Sequence, residues 1–284
     1  MQRLLYLFGI LFLLTAGTAA QDSDLLDDIP LHCRAGDDAF VRHMEQGGYF
    51  HGAGDLRAAL AEYSCAVLTA PQDSPLPYHS RGRVLLDMAQ YEGAIADFTQ
   101  VVALDPLAAT AYNNRAFAYY ALGRTEEALA DYAQALDINP DYALAYNNRG
   151  LAYLQAGDFA AALADFERAL EHDFAHPEWA MTNAGIALAA LGEEDEAIRR
   201  FLEAINAAPN FPEPHRRVAD MYYDMGDYEN ALKQYRSYAA LVEDGIDAVA
   251  RQRMAELQFR QDFIRLLPTL VILVVVSGAL LVQL

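Results

Sequence analysis

The sequence predicts an all-α protein built as a solenoid of about six helix-turn-helix repeats. Three observations carry the prediction. A stretch from Ala109 to Pro140 is followed at once by a near copy of itself starting at Ala143, with corresponding residues 34 positions apart. Apolar residues recur at helical spacing on both sides of Gly123 and of Gly157, so each copy reads as helix, short turn, helix. The same pattern recurs with few gaps from about residue 40 to about residue 245. One hairpin cannot bury its apolar face alone, so copies must stack.

The residues of one copy explain its shape. The first of the pair carries Ala111-Tyr112-Asn113-Asn114-Arg115-Ala116, then Tyr119, Gly123, Ala128, Tyr132, Ala135 and Pro140. The second carries Ala145-Tyr146-Asn147-Asn148-Arg149-Gly150, then Tyr153, Gly157, Ala162, Phe166 and Ala169. Small residues at 116 and 128 let two helix backbones approach closely, and the aromatics fill the space around that contact. Pro140 cannot continue a helix and separates one hairpin from the next.

This pattern resembles the tetratricopeptide repeat family. Six copies begin near Phe40, Pro75, Ala109, Ala143, Glu178 and Pro212, within residues 37–245. Each has an alanine in its second helix (Ala59, Ala94, Ala128, Ala162, Ala197, Ala231) and an aromatic four residues later (Tyr63, Phe98, Tyr132, Phe166, Phe201, Tyr235). The turn glycine is Gly54, Gly123, Gly157, Gly192 and Gly226, with Ala89 in the second copy. The resemblance implies a right-handed superhelical solenoid. Two departures stand out. Phe174 replaces a closing proline before a fifth copy that starts one residue late, which predicts altered stacking there. The sixth copy has Tyr238 at a usually small position and lacks its closing proline, as a capping repeat would.

Residues 1–20 read as a secretory signal: Arg3, an apolar run from Leu4 to Leu14, then Thr18-Ala19-Ala20 for cleavage. The run is short for a spanning helix, although an uncleaved anchor is the alternative. Residues 21–36 form an acidic, turn-rich lead-in. The two cysteines, Cys33 and Cys65, read as a disulfide in an exported chain, or else as separate thiols with Cys65 packed as a small apolar residue. A net charge of −20 excludes a nucleic-acid partner, which needs a basic face.

Within the repeats, Arg81, Arg115 and Arg149 share one position, and Asp97, Asp131 and Asp165 share another sixteen residues later. The first, fifth and sixth copies lack both residues together, carrying Gln46 with Glu62, Ala184 with Arg200, and Val218 with Gln234. The matched losses predict structural ion pairs within or between hairpins. The alternative is a basic ladder for an anionic ligand.

The resemblance also implies a peptide-binding concave face lined by the first helix of each repeat. Carried over by position, that groove comprises Arg83, Asn113, Phe117, Tyr120, Asn147, Leu151, Leu154, Trp179, Thr182 and Ile186. Asn113 and Asn147 would bond a peptide backbone, and Phe117, Leu151 and Trp179 would take apolar side chains. The bland counterpart is that several of these pack against neighbouring helices. Met44 and Gly48 do not supply the family's clamp for C-terminal carboxylates.

No catalytic or cofactor motif is present, and no enzyme or metal site is expected. His172 and His176 straddle the end of a repeat, and the carboxylates are scattered over outward positions. His43 and His51 are expected to face solvent or a neighbour.

Residues 246–265 read as an amphipathic capping helix rich in arginine (Arg251, Arg253, Arg260, Arg265), and residues 266–284 carry no charge. That last stretch would span about 28 Å as a helix, enough to cross a bilayer's hydrocarbon core. Its arginine flank runs against the positive-inside tendency if the repeats are exported, and it suits contact with anionic headgroups.

The sequence-level expectation is a non-catalytic, exported scaffold, membrane-anchored through its C-terminal helix, that binds a protein or peptide. A self-assembling module, with homo-oligomers, and an accessory subunit of a membrane enzyme are the alternatives.

Overall fold

The computed structural model describes residues 33, 38–71, 73–242 and 245–281, with side chains as far as Leu266. The expected signal at 1–20 and all of the 21–36 lead-in but Cys33 lie outside the described residues. Thirteen α-helices and no strand occur among those described.

The chain divides into two compact units, residues 1–174 and 175–284. The boundary falls beside Phe174, where the closing proline is missing.

The first unit holds four hairpins: α1 (Ala39–Ala53) with α2 (Leu56–Thr69), α3 (Leu76–Asp87) with α4 (Tyr91–Leu104), α5 (Ala109–Ala121) with α6 (Thr125–Ile138), and α7 (Ala143–Ala156) with α8 (Phe159–Glu171). Each first helix also packs on the second helix of the hairpin before it, so the four stack in chain order. The core sits at the helix crossings. Ala59, Ala94, Ala128 and Ala162 are fully buried there, each beside the aromatic four residues on. The approach is close: a Cβ at Gly150 would lie 2.6 Å from the Phe166 ring.

The turns between paired helices need a left-handed residue, and Gly54, Gly123 and Gly157 supply it at φ between 73° and 80°. Ala89 takes the same conformation at φ 57°, although its Cβ disfavours it. Asp55 and Asp158 cap α2 and α8 by accepting from the Ala58 and Ala161 amides at 3.0 and 3.1 Å.

Cys33 and Cys65 are disulfide-bonded, with Cα atoms 5.1 Å apart. The bond ties the segment before α1 to the buried face of α2.

The second unit holds α9 (Pro177–Leu191) with α10 (Glu194–Ala207), and α11 (Pro212–Asp224) with α12 (Tyr228–Val242). Ala197 and Ala231 are fully buried at their crossings, with Phe201 and Tyr235 beside them. The last helix, α13 (Ala248–Leu281), packs on α12 and α11 through Ala250 and Leu257. Tyr238, at the position where a small residue is usual, is buried in this cluster and donates to the Asp247 carboxylate at 3.3 Å.

The backbone is one helix from Ala248 to Leu281, with no break between the expected cap at 246–265 and the expected anchor at 266–284. Two of the four arginines on this helix make contacts within the fold, with α11 and α12. Arg253 meets Asp220 at 2.9 Å and Asp224 at 3.2 Å, and Arg260 lies 4.2 Å from the centre of the Tyr228 ring. Among the described residues no helix is long and apolar enough to cross a membrane. Side chains of the uncharged stretch beyond Leu266 lie outside the described set.

Candidate functional site: the first helices of the repeats

The first helix of each hairpin presents one side to its partner and another outward, and the repeat decides which residues go where. On the partner side, Arg81, Arg115 and Arg149 each form a two-pronged bond to an aspartate on the second helix of the same hairpin. Arg81 donates to Asp97 at 2.8 and 2.7 Å, Arg115 to Asp131 at 2.6 and 2.8 Å, and Arg149 to Asp165 at 2.7 and 2.9 Å. All three pairs are mostly buried. The bonds to Asp131 and Asp165 raise the Arg115 and Arg149 guanidinium groups above their ordinary value. Burial holds the Asp97 carboxyl above the usual range despite Arg81. A tyrosine three residues before each arginine lies near its guanidinium: Tyr78 at 6.0 Å, Tyr112 at 5.5 Å and Tyr146 at 5.7 Å. These arginines are engaged within the fold, so they do not form a ladder for an anionic ligand.

In two of the three hairpins without the arginine, the first and the sixth, a histidine replaces the tyrosine and bridges the same two helices. His43 Nδ1 lies 2.7 Å from Glu62 in the first hairpin, and His215 Nδ1 lies 2.8 Å from Gln234 in the sixth. Both histidines are buried, and His43 takes the neighbour-facing of its two expected settings. His51 is bonded to Asp87 at 2.6 Å. Sequence reading saw the lost arginines but not these replacements. The signal that could have found them was histidine three residues before Gln46 and before Val218.

The ten expected groove residues separate by burial. Asn113 and Asn147 are only 2 % exposed, so neither is placed to bond a peptide. Asn113 donates to Asn114 at 3.1 Å and accepts from Asn148 at 3.2 Å, which links the third repeat to the fourth. Thr182 is equally buried and donates to the Glu178 carbonyl at 2.6 Å. These three are corrections to the expected lining, and the cause is the offset of one residue along a helix, about 100° of rotation. Tyr120 packs against the core cluster around Tyr132, and burial raises its phenol. In the first unit Arg83 is exposed, and Phe117, Leu151 and Leu154 are half-buried. In the second unit Trp179 is half-buried and stacks on His176 at 4.3 Å, and Ile186 helps line a cavity of about 160 Å³ with Arg217 and Asp220.

His172 stacks on Tyr146 with ring centres 5.6 Å apart. Among the described residues no group of three or more His, Cys, Asp or Glu side chains could hold a metal ion.

Fold and site together define an all-α helical repeat protein whose first helices carry the variable outward residues. Residues 82–123 and 117–157 match the TPR repeat family, and residues 143–174 and 182–246 match two further tetratricopeptide repeat families. The chain carries tetratricopeptide repeats. A 52-residue stretch is 38 % identical to the TPR repeat-containing thioredoxin TTL4 of Arabidopsis thaliana, covering 18 % of this chain and 8 % of that protein. The chain thus spans under a tenth of that relative's length. Among solved structures, one in the crystal structure of the APC/C hetero-tetramer Cut9-Hcn1 aligns over 82 % of this chain and 44 % of its own, with TM-score 0.65 and 17 % identity. YrrB, described as a TPR protein with an unusual peptide-binding site, aligns over 64 % of this chain and 93 % of its own, with TM-score 0.53 and 22 % identity. At these identities the structural likeness speaks for the fold.

Proposed function

We propose that the chain is a non-catalytic protein–protein interaction scaffold, exported by its N-terminal leader and held at a membrane by its uncharged C-terminal stretch. The observation that carries the scaffold reading is the repeat itself. Its recurring residues are spent on packing and, in three copies, on ion pairs, while Arg83, Phe117, Leu151 and Leu154 vary on the first helices of one stack. Side chains of that kind suit an extended peptide, with Phe117 and Leu151 taking its apolar groups. YrrB, whose fold this chain shares, is described as having a peptide-binding site. Export is supported by Arg3, the Leu4–Leu14 run and the small residues at 18–20. Attachment is supported by residues 266–284, which contain no charge.

The test places a photo-crosslinking residue at Phe117 in the native host. A reproducible foreign protein in the crosslinked product supports groove binding, and that protein's compartment reports the topology. Capture of nothing, or of a second copy alone, overturns groove binding, and the second result favours self-assembly.

A further inference from the structure

The first hairpin holds an open pocket where the next three hairpins hold an arginine. Gln46 occupies the position of Arg81, Arg115 and Arg149, and Glu62 that of Asp97, Asp131 and Asp165. Glutamine is shorter than arginine and uncharged, so it cannot span to the second helix as those arginines do. An open surface pocket of about 540 Å³ lies there, lined by exposed Glu45, Gln46 and Tyr49 and by half-buried Phe50 and Glu62. We propose that it binds the guanidinium of an arginine side chain presented by a partner protein.

Two of the lining residues, Glu62 and Phe50, have counterparts that already hold an arginine elsewhere in the chain. Glu62 stands where three aspartates accept two guanidinium bonds each, and it is one methylene longer. Phe50 corresponds to Tyr153, whose ring centre lies 5.9 Å from the Arg149 guanidinium. His43, at the position of the stacking tyrosines, engages one Glu62 oxygen at 2.7 Å and fixes that carboxylate's direction. Tyr49 packs edge-on to Phe50 at 5.6 Å and is 74 % exposed, an unusual setting for a large aromatic. Glu45 adds a second carboxylate at the rim.

The other two hairpins without the arginine differ. The sixth has neutral Val218 and Gln234, and His215 engages Gln234 and the Pro209 carbonyl. The fifth carries Arg200 on its second helix, 3.3 Å from Glu203. The first places carboxylates, aromatic walls and open volume together at the arginine position itself, whereas the cavity of about 160 Å³ between the fifth and sixth already has Arg217 in its lining. A planar fork that bonds a carboxylate while lying beside a ring is an arginine property, which lysine does not share. The protein's charge of −20 also favours approach of a basic segment.

That the arginine comes from a protein rests on the scaffold reading, but the site can be tested without it. The probe is a fluorescein-labelled tetra-arginine peptide, with tetra-lysine and tetra-citrulline for comparison, titrated by anisotropy with the full-length chain in neutral detergent micelles. Glu62→Gln weakens tetra-arginine binding about tenfold, and Tyr49→Ala about two- to fivefold. Glu126→Gln, which removes one exposed charge on α6, leaves it unchanged. Gln46→Arg fills the pocket from within, removes binding and raises the Tm of the chain. Equal weakening by Glu62→Gln and Glu126→Gln, equal affinity for tetra-lysine, or unchanged binding in Gln46→Arg overturns the proposal. Peptide binding that follows this pattern while Phe117 captures no protein keeps the arginine site and removes the groove.

Discussion

Arg115 and Asp131 join α5 to α6 through two parallel hydrogen bonds, from Nε at 2.6 Å and from Nη2 at 2.8 Å. The guanidinium also bonds Thr99 of the preceding hairpin at 3.2 Å, so one side chain ties three helices. Replacing Asp131 with Ala strands a mostly buried cation. The expected loss is about 3 kcal/mol, read as a lower midpoint in urea. Adding Arg115→Met should restore part of it, because the pair is then replaced by apolar packing. An unchanged midpoint in Asp131→Ala would refute the structural role.

Ala89 is the only turn residue among the paired helices of repeats one to five that is not glycine, yet it adopts φ 57°. Ala89→Gly removes the Cβ penalty and should stabilise the chain by about 1 kcal/mol, net of the extra backbone entropy of the unfolded state. Gly123→Ala should cost a similar amount. Thermal unfolding of the two variants, moving in opposite directions, checks both.

Tyr132 is fully buried, and its hydroxyl has no hydrogen-bond partner among the described residues. The equivalent residues Phe98, Phe166 and Phe201 lack that hydroxyl. Tyr132→Phe should therefore be neutral or stabilising by up to about 1 kcal/mol. The calorimetric Tm decides it, and a clear drop would reveal a hidden partner.

Burial holds the Tyr132 phenol well above its ordinary value of 10.0, and burial with the Asp220 bond does the same for Tyr235. The folded state thus keeps protons that the unfolded state releases. Their contribution is intact below pH 10 and is lost as pH climbs from there toward the folded values. Absorbance at the phenolate band should show these tyrosines ionising only together with alkaline unfolding. Ionisation well before the loss of helical circular dichroism would contradict the burial.

The Cys33–Cys65 bond closes a loop with sequence separation 32. In the chain-entropy account its reduction costs about 3 to 4 kcal/mol. Because stacked repeats unfold locally, faster amide exchange after reduction should concentrate in α1 and α2, with α5 to α8 little changed. Uniform acceleration along the chain would mean that the bond supports the whole stack.

The 34-residue spacing was legible because it is a property of the chain. An alanine followed four residues later by an aromatic marks a helix crossing wherever it occurs, and a left-handed glycine marks the turn. The Arg–Asp pairs were legible for a related reason, since losing one partner of a buried pair is tolerated only when the other goes too. What the sequence determined by itself was therefore the repeat, its crossings and its internal ion pairs. The orientation of neighbours was decided elsewhere. Asn113 and Asn114 are adjacent and chemically identical, and only the packing of α5 against its neighbours turns the first inward. The pocket at Gln46 likewise exists only in three dimensions. The space beside Gln46 has walls from two helices, Tyr49 and Phe50 on α1 and Glu62 on α2, and only the pairing of α1 with α2 brings them together.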